Sequence, residues 1–178
     1  MPFTTIKADL LSDQNKMLQV QLKGLPKEIK NMGTPYTAIT DKVKNMAVVL
    51  PLVSLLHSES MEQRHWDQLM TLTGRKFDHN SINFNFEEVL QLHLHKHENA
   101  INELVEISQK EQKIEKKLKA IESSWNKQVF EFDEVVIDED NITKVFLPLD
   151  NMMEIMDAHT MDLMNMRSQG KNVEFFLG

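Results

Sequence analysis

Apolar residues recur at helical intervals through most of this chain. Leu11, Leu18, Leu22 and Leu25 are spaced by seven, four and three residues, which predicts a helix from about Thr5 to Lys23 that ends at Gly24 and Pro26. Lys27 to Pro35 reads as a connector. Tyr36, Ile39, Val43, Met46, Leu50, Val53 and Leu56 then repeat every three or four residues, but Pro51 interrupts them. Proline lacks an N–H and restricts the residue before it, so a kink or two abutting helices are expected there. A third helix is expected from Ser60, where Gln63 completes a capping-box pattern, to Gly74, followed by a connector from Arg75 to Asn85.

The longest periodic stretch starts at Asn85, a good N-cap with Glu88 three residues on, and contains no Gly or Pro as far as Trp125. Leu90, Leu94, Ile101, Leu104, Ile114, Leu118, Ile121 and Trp125 form its apolar stripe, and Glu106/Lys110 and Glu115/Lys119 are favourable four-residue charge pairs. One helix over about 86–126 is predicted, roughly 60 Å long at 1.5 Å per residue. From Val129 to Ile137 the period changes to alternation. With Asp138-Glu139-Asp140-Asn141 as a turn and Thr143 to Leu147 as a second strand, a small β-hairpin over about 129–147 is expected. Pro148 and Asp150 introduce a last amphipathic helix to about Met166, and Gly170 precedes Val173-Glu174-Phe175-Phe176. That apolar group at the chain end implies that the natural polypeptide continues. The fold class is therefore mainly α: an elongated helical bundle with one long helix and a small hairpin.

Composition narrows the classes of function. Apolar residues make up 41% and charged residues 26%, as in ordinary globular proteins. The chain has no cysteine, which removes disulfides, thiolate metal sites and thiol nucleophiles and suits a reducing compartment. No apolar run is long enough for a membrane span, and the N-terminus lacks the pattern of a signal peptide, so a soluble cytosolic protein is expected. A net charge of −7 disfavours nucleic acid and anionic lipid as partners. The basic stretch from Lys110 to Lys119 is interleaved with Glu111 and Glu115.

Candidate chemistry is sparse. His93 and His97 would share a helix face four residues apart, with His95 and Glu98 nearby, but two imidazoles fall short of the three or four ligands that zinc sites use. Six of the twelve methionines lie between Met152 and Met166. Met152, Ile155, Met156, Leu163 and Met166 recur mostly at helical intervals, so packing is expected, with a soft-metal or docking surface as the alternative. Gly74-Arg75-Lys76 lacks the preceding glycine of a phosphate-binding loop, and no Gly-x-Ser-x-Gly elbow occurs. Glu87 and Glu88 point about 100° apart on a helix and are poorly placed to share a substrate. Arg64-His65-Trp66 and Trp125 read as packing anchors. No catalytic, cofactor or metal residue is assigned.

Three runs carry a family resemblance. Leu50-Pro51-Leu52-Val53-Ser54-Leu55-Leu56, Met61-Glu62-Gln63-Arg64-His65-Trp66 and Thr73-Gly74-Arg75-Lys76-Phe77 resemble the linker region of dynein heavy chains. Ile107-Ser108-Gln109-Lys110-Glu111, Ile114-Glu115-Lys116-Lys117-Leu118, Ile121, Trp125 and Phe130-Glu131-Phe132 are similar to the same family in order and spacing. Ser108 departs from the alanine common at its place, and Ser168-Gln169-Gly170-Lys171 departs from the usual aromatic ending. The Met-rich helix and Thr73-Gly74 resemble axonemal members.

The resemblance covers about Val43 to Phe176 and implies 36–178 as a linker-like helical domain truncated at its C-terminal end, preceded by residues 1–35, which the periodicity gives as an N-terminal helix and connector. It also implies a non-enzymatic lever that passes ATP-driven movement of a motor ring to the tail. The implied partners are the ATPase ring of the same heavy chain, and intermediate or light chains and microtubules through the parent assembly, in the cytoskeleton of a ciliary or flagellar axoneme. No cofactor, nucleic acid or membrane is implied. Two other readings compete: a helical adaptor or oligomerisation module, suggested by the long stripe and charge pattern, and a histidine-based metal enzyme, suggested by His93 and His97.

Overall fold

In the computed structural model the described residues are 2–81, 83–129, 132–138, 141–146, 150–170 and 176. They form α1 (Ala8–Gly24), α2 (Lys27–Lys30), α3 (Thr34–Leu56), α4 (Gln63–Thr73), α5 (Phe86–Gln91), α6 (Glu98–Trp125), strands β1 (Phe132–Asp138) and β2 (Asn141–Phe146), and α7 (Asp150–Arg167). The chain divides into two compact units, Met1–Gln109 and Lys110–Gly178, and the division falls within α6.

The first unit is organised around the C-terminal half of α3. Val49, Leu52, Val53 and Leu56 lie at helical spacing and are buried with Leu69 of α4, Val89 of α5 and Ile101, Leu104 and Val105 of α6. The N-terminal half of α3 packs on α1. There the buried Asn15 donates its side-chain amide to the Val43 carbonyl at 3.0 Å, so a polar group inside the interface is hydrogen-bonded rather than stranded. α3 runs through Pro51 as a single helix, so of the two expectations there, a kink or two abutting helices, the second is not what forms. The proline ring is exposed, and its missing N–H leaves only the Ala47 carbonyl without its usual donor.

The N-terminal segment joins this core as well. Phe3 lies in a short 3₁₀ turn ahead of the first periodic stretch and is buried, with its N–H donating to the Phe84 carbonyl at 2.8 Å. α1 starts at Ala8, later than expected. α4 begins at Gln63 and is capped by Glu62 rather than by Ser60, because His65, not Gln63, returns the hydrogen bond of the cap. Its C-terminal Gly74 adopts φ 67°, a left-handed turn that a side chain would strain by about 1 kcal/mol or more.

The single helix over about 86–126 is not what forms. α5 ends at Gln91, His93 turns left-handed at φ 50°, a 3₁₀ turn covers Leu94–Lys96, and α6 starts only at Glu98. Leu92 and Leu94 are both buried, yet two residues apart on one helix they would point about 200° apart. Breaking the helix lets both enter the core, and burying a leucine is worth about 2 kcal/mol, which offsets the strain at His93.

In the second unit Ile114 of α6 and Met166 of α7 are buried together, with Leu118, Ile121 and Phe176 packed against them. The expected hairpin over 129–147 also needs correction. Val129 is exposed and outside any strand, and extended backbone pairs only Phe132–Asp138 with Asn141–Phe146, in a ladder whose register slips between Val136 and Asp138. The buried clusters that the described side chains form are built from helices and the segments that join them. Glu139, Asp140, Pro148 and the 173–175 part of the terminal apolar group lie outside the described residues.

Candidate functional site: the Arg-His-Trp cluster

α4 presents Arg64, His65 and Trp66 in its first turn. His65 is almost fully buried, and its Nδ1 accepts from the Glu62 main-chain N–H at 3.0 Å, so the neutral ring carries its proton on Nε2. This contact ties one of the unpaired donors at the helix start to a side chain. Trp66 is the centre of an aromatic group. His79 stacks on it at 4.4 Å between centroids and an 8° interplanar angle, while Phe77 and Phe3 meet it edge-on at 6.3 and 5.7 Å. Phe77 in turn stacks on Phe84 at 4.6 Å, and Phe3 on His57 at 4.4 Å. Such pairs add roughly 0.5–1.5 kcal/mol each beyond the area they bury. His57 also contacts the Phe3 carbonyl through Nε2 at 2.9 Å. Burial holds the pKa of His79 below its ordinary value, against the opposing pull of Asp78 and Asp67.

A second buried feature lies close in sequence. Ser58 Oγ and Ser60 Oγ are 2.8 Å apart, Ser60 Oγ and Ser108 Oγ are 2.8 Å apart, and Ser108 donates to the Val105 carbonyl at 2.8 Å. Since the Ser108 proton goes to that carbonyl, the chain has one direction: Ser58 donates to Ser60, and Ser60 to Ser108. The relay fastens the α3–α4 connector to α6. No pattern in the sequence pointed to it except Ser108 itself, a hydroxyl where alanine is common.

The other candidates are dispersed. His93 lies between α5 and the 3₁₀ turn and His97 between that turn and α6, so the shared helix face that would have paired them does not exist. His93 and His95 meet edge-on at 5.9 Å. Desolvation, followed by the neighbouring His93, Lys96 and His97, lowers the pKa of His95. Among the described residues no three His, Asp or Glu side chains gather as metal ligands. Gly74-Arg75-Lys76 closes α4, with Arg75 Nη1 donating to Gln91 Oε1 at 2.8 Å. Glu87 and Glu88 lie in the first turn of α5, where their N–H groups donate to Asn85 Oδ1 at 2.9 and 3.2 Å. Trp66 belongs to the first unit and Trp125 to the second, where Trp125 meets His159 edge-on at 6.1 Å. In α7 only Met166 of the methionines is fully buried. No described helix is long and apolar enough to cross a membrane.

These features define a class: a helical segment whose best-organised described residues hold its elements together. The family described as "Dynein heavy chain, N-terminal region 2" matches residues 1–177. The flagellar outer arm dynein beta chain of Chlamydomonas reinhardtii is 33% identical over 168 residues, 94% of this chain and 4% of the relative. The alpha chain of the same arm is 32% identical over 130 residues, 73% of this chain and 3% of the relative. Human dynein axonemal heavy chain 17 is 33% identical over 118 residues, 66% of this chain and 3% of the relative. The chain belongs to the dynein heavy chain family and corresponds to an N-terminal region of its axonemal members. It spans 3% to 4% of the length of these relatives.

Proposed function

We propose that this segment is a non-catalytic mechanical linker section of an axonemal dynein heavy chain, transmitting ATP-driven change in the motor ring to the tail during ciliary or flagellar movement. The observation that carries the reading is the match of residues 1–177 to an N-terminal region of dynein heavy chains. Its physical support is α6, 28 residues of uninterrupted helix. Bending such a helix breaks several backbone hydrogen bonds and packed contacts together, so it resists deformation better than a loop. The proposed partners are the ATPase ring of the same heavy chain and, through the parent assembly, intermediate or light chains and microtubules. The relatives named as flagellar or axonemal support a place in the axonemal cytoskeleton.

Two measurements test the reading. The purified chain should turn over no ATP above buffer, and sustained hydrolysis would overturn the non-catalytic part. In a motor-competent heavy chain, Lys113→Pro, an exposed site inside α6, should slow microtubule gliding several-fold while Lys113→Ala does not. Equal gliding by both variants would overturn the mechanical part.

A further inference from the structure

We infer that the outward face of α7 is a peroxide-responsive surface, modified at the thioethers of Met153, Met156, Met161 and Met164. At 100° per residue, Met152, Ile155, His159 and Met166 fall within about 60° of one another and form the more buried side of α7. Met153, Met156, Leu163 and Met164 occupy the adjoining arc of about 100°, with Met161 beside it. The four outward methionines are 47% to 66% exposed, whereas Met166 is 2% exposed. Because the chain has no cysteine, no thiol competes for an oxidant, and these sulfurs are the softest accessible nucleophiles on the helix. α7 carries Asp150, Glu154, Asp157 and Asp162 against Arg167 alone, so its surroundings repel anionic oxidants and favour neutral hydrogen peroxide.

The chemistry balances without a cofactor. A sulfur lone pair attacks one peroxide oxygen, the S–O bond forms as the O–O bond breaks, and the departing hydroxide takes the proton of the sulfur-bound hydroxyl, leaving sulfoxide and water. Each sulfur loses two electrons to the peroxide. The product sulfoxide is polar, so oxidation turns an apolar helix face hydrophilic while the packed side keeps its contacts, and methionine sulfoxide reductases reverse the change.

Limited hydrogen peroxide treatment of the folded chain, followed by peptide mapping by mass spectrometry, tests the selectivity. Met153, Met156, Met161 and Met164 should oxidise about tenfold faster than Met166, whose exposure requires local opening. Equal rates, or protection of the outward four, overturn the inference. The surface change is read with Nile red, a neutral apolar probe that the acidic side chains of α7 do not repel, with helix content followed in parallel by circular dichroism. Peroxide should lower its fluorescence on the natural chain and leave it unchanged on the M153L/M156L/M161L/M164L variant, in which the exposed Met17 and Met32 remain. Failure of the dye to bind, or equal loss in both chains, also overturns it.

Discussion

The first unit closes around a group of four aromatic rings in mutual contact, whereas in the described part of the second the buried apolar pair is an isoleucine and a methionine, with single rings at its margin. In the first, Phe3, Trp66, Phe77 and Phe84 meet in defined stacked and edge-on geometries, and hydrogen bonds such as Phe3 N–H to the Phe84 carbonyl fix the segments that bring them together. In the second, Ile114 and Met166 are the buried apolar pair among the described residues, and Leu118, Ile121 and Phe176 are only partly covered. Rings of fixed shape demand one arrangement, while a methionine adapts to several. The first unit should therefore respond sharply to truncation of one anchor, and the second more gently.

The largest effect is expected at that anchor. Trp66→Ala removes the ring on which His79, Phe77 and Phe3 converge and should cost about 3–5 kcal/mol in chemical denaturation. A cost below about 1 kcal/mol would show that the aromatic group is not what closes the first unit. Ile114→Ala should cost about 2 kcal/mol, at the low end for such a truncation, because its half-covered neighbours can relax into the gap. Hydrogen exchange should locate the loss at amides beyond Lys110. Exchange rising equally around Trp66 would erase the distinction between the units.

The hydroxyl relay sharpens the comparison inside the first unit. Ser108→Ala leaves the buried Ser60 proton without its acceptor and should cost about 1 kcal/mol, as should Ser60→Ala. The double variant should cost about 0.5–1 kcal/mol less than the sum of the two, since the second change removes a group already unpaired. Strict additivity in the double-mutant cycle would mean that the 2.8 Å contact carries no coupling.

These features differ in how far the sequence exposes them, for physical reasons. Asn85 and Gly74 act through neighbouring backbone, so their roles as helix start and helix stop are written locally. Trp66 as a packing anchor follows from its size on an apolar stripe. The break between α5 and α6 was also written locally, in the alternation Leu92-His93-Leu94-His95, but the stripe from Leu90 to Trp125 masked it. A period of three or four hides a short stretch of period two. Phe3 precedes any repeat, and its burial depends on a long-range contact with Phe84. The Ser60–Ser108 contact spans 48 positions and has no periodic sign at all. The methionines of α7 are ambiguous for the opposite reason: apolar residues cover both the packed and the open side, so helical spacing alone groups Met156 and Leu163 with the packed residues although both are exposed.

The smallest expected effect is a pH dependence at the rim of the aromatic group. Burial against Trp66 lowers the pKa of His79, and Asp78 and Asp67 only partly oppose it. The unfolded chain then binds a proton more readily than the folded one, starting at the ordinary histidine value of about 6.5. The contribution from neutral His79 is fully present above that value. It declines as pH falls from there to the depressed folded value, below which both states are protonated and no further loss accrues. His79→Gln keeps a polar side chain but abolishes the titration. Urea midpoints measured from pH 7.5 to 5.5 should therefore fall slightly more steeply in the natural chain than in the variant. A steeper fall in the variant would reverse the sign and mean that the carboxylates of Asp78 and Asp67, not burial by the tryptophan, govern this histidine.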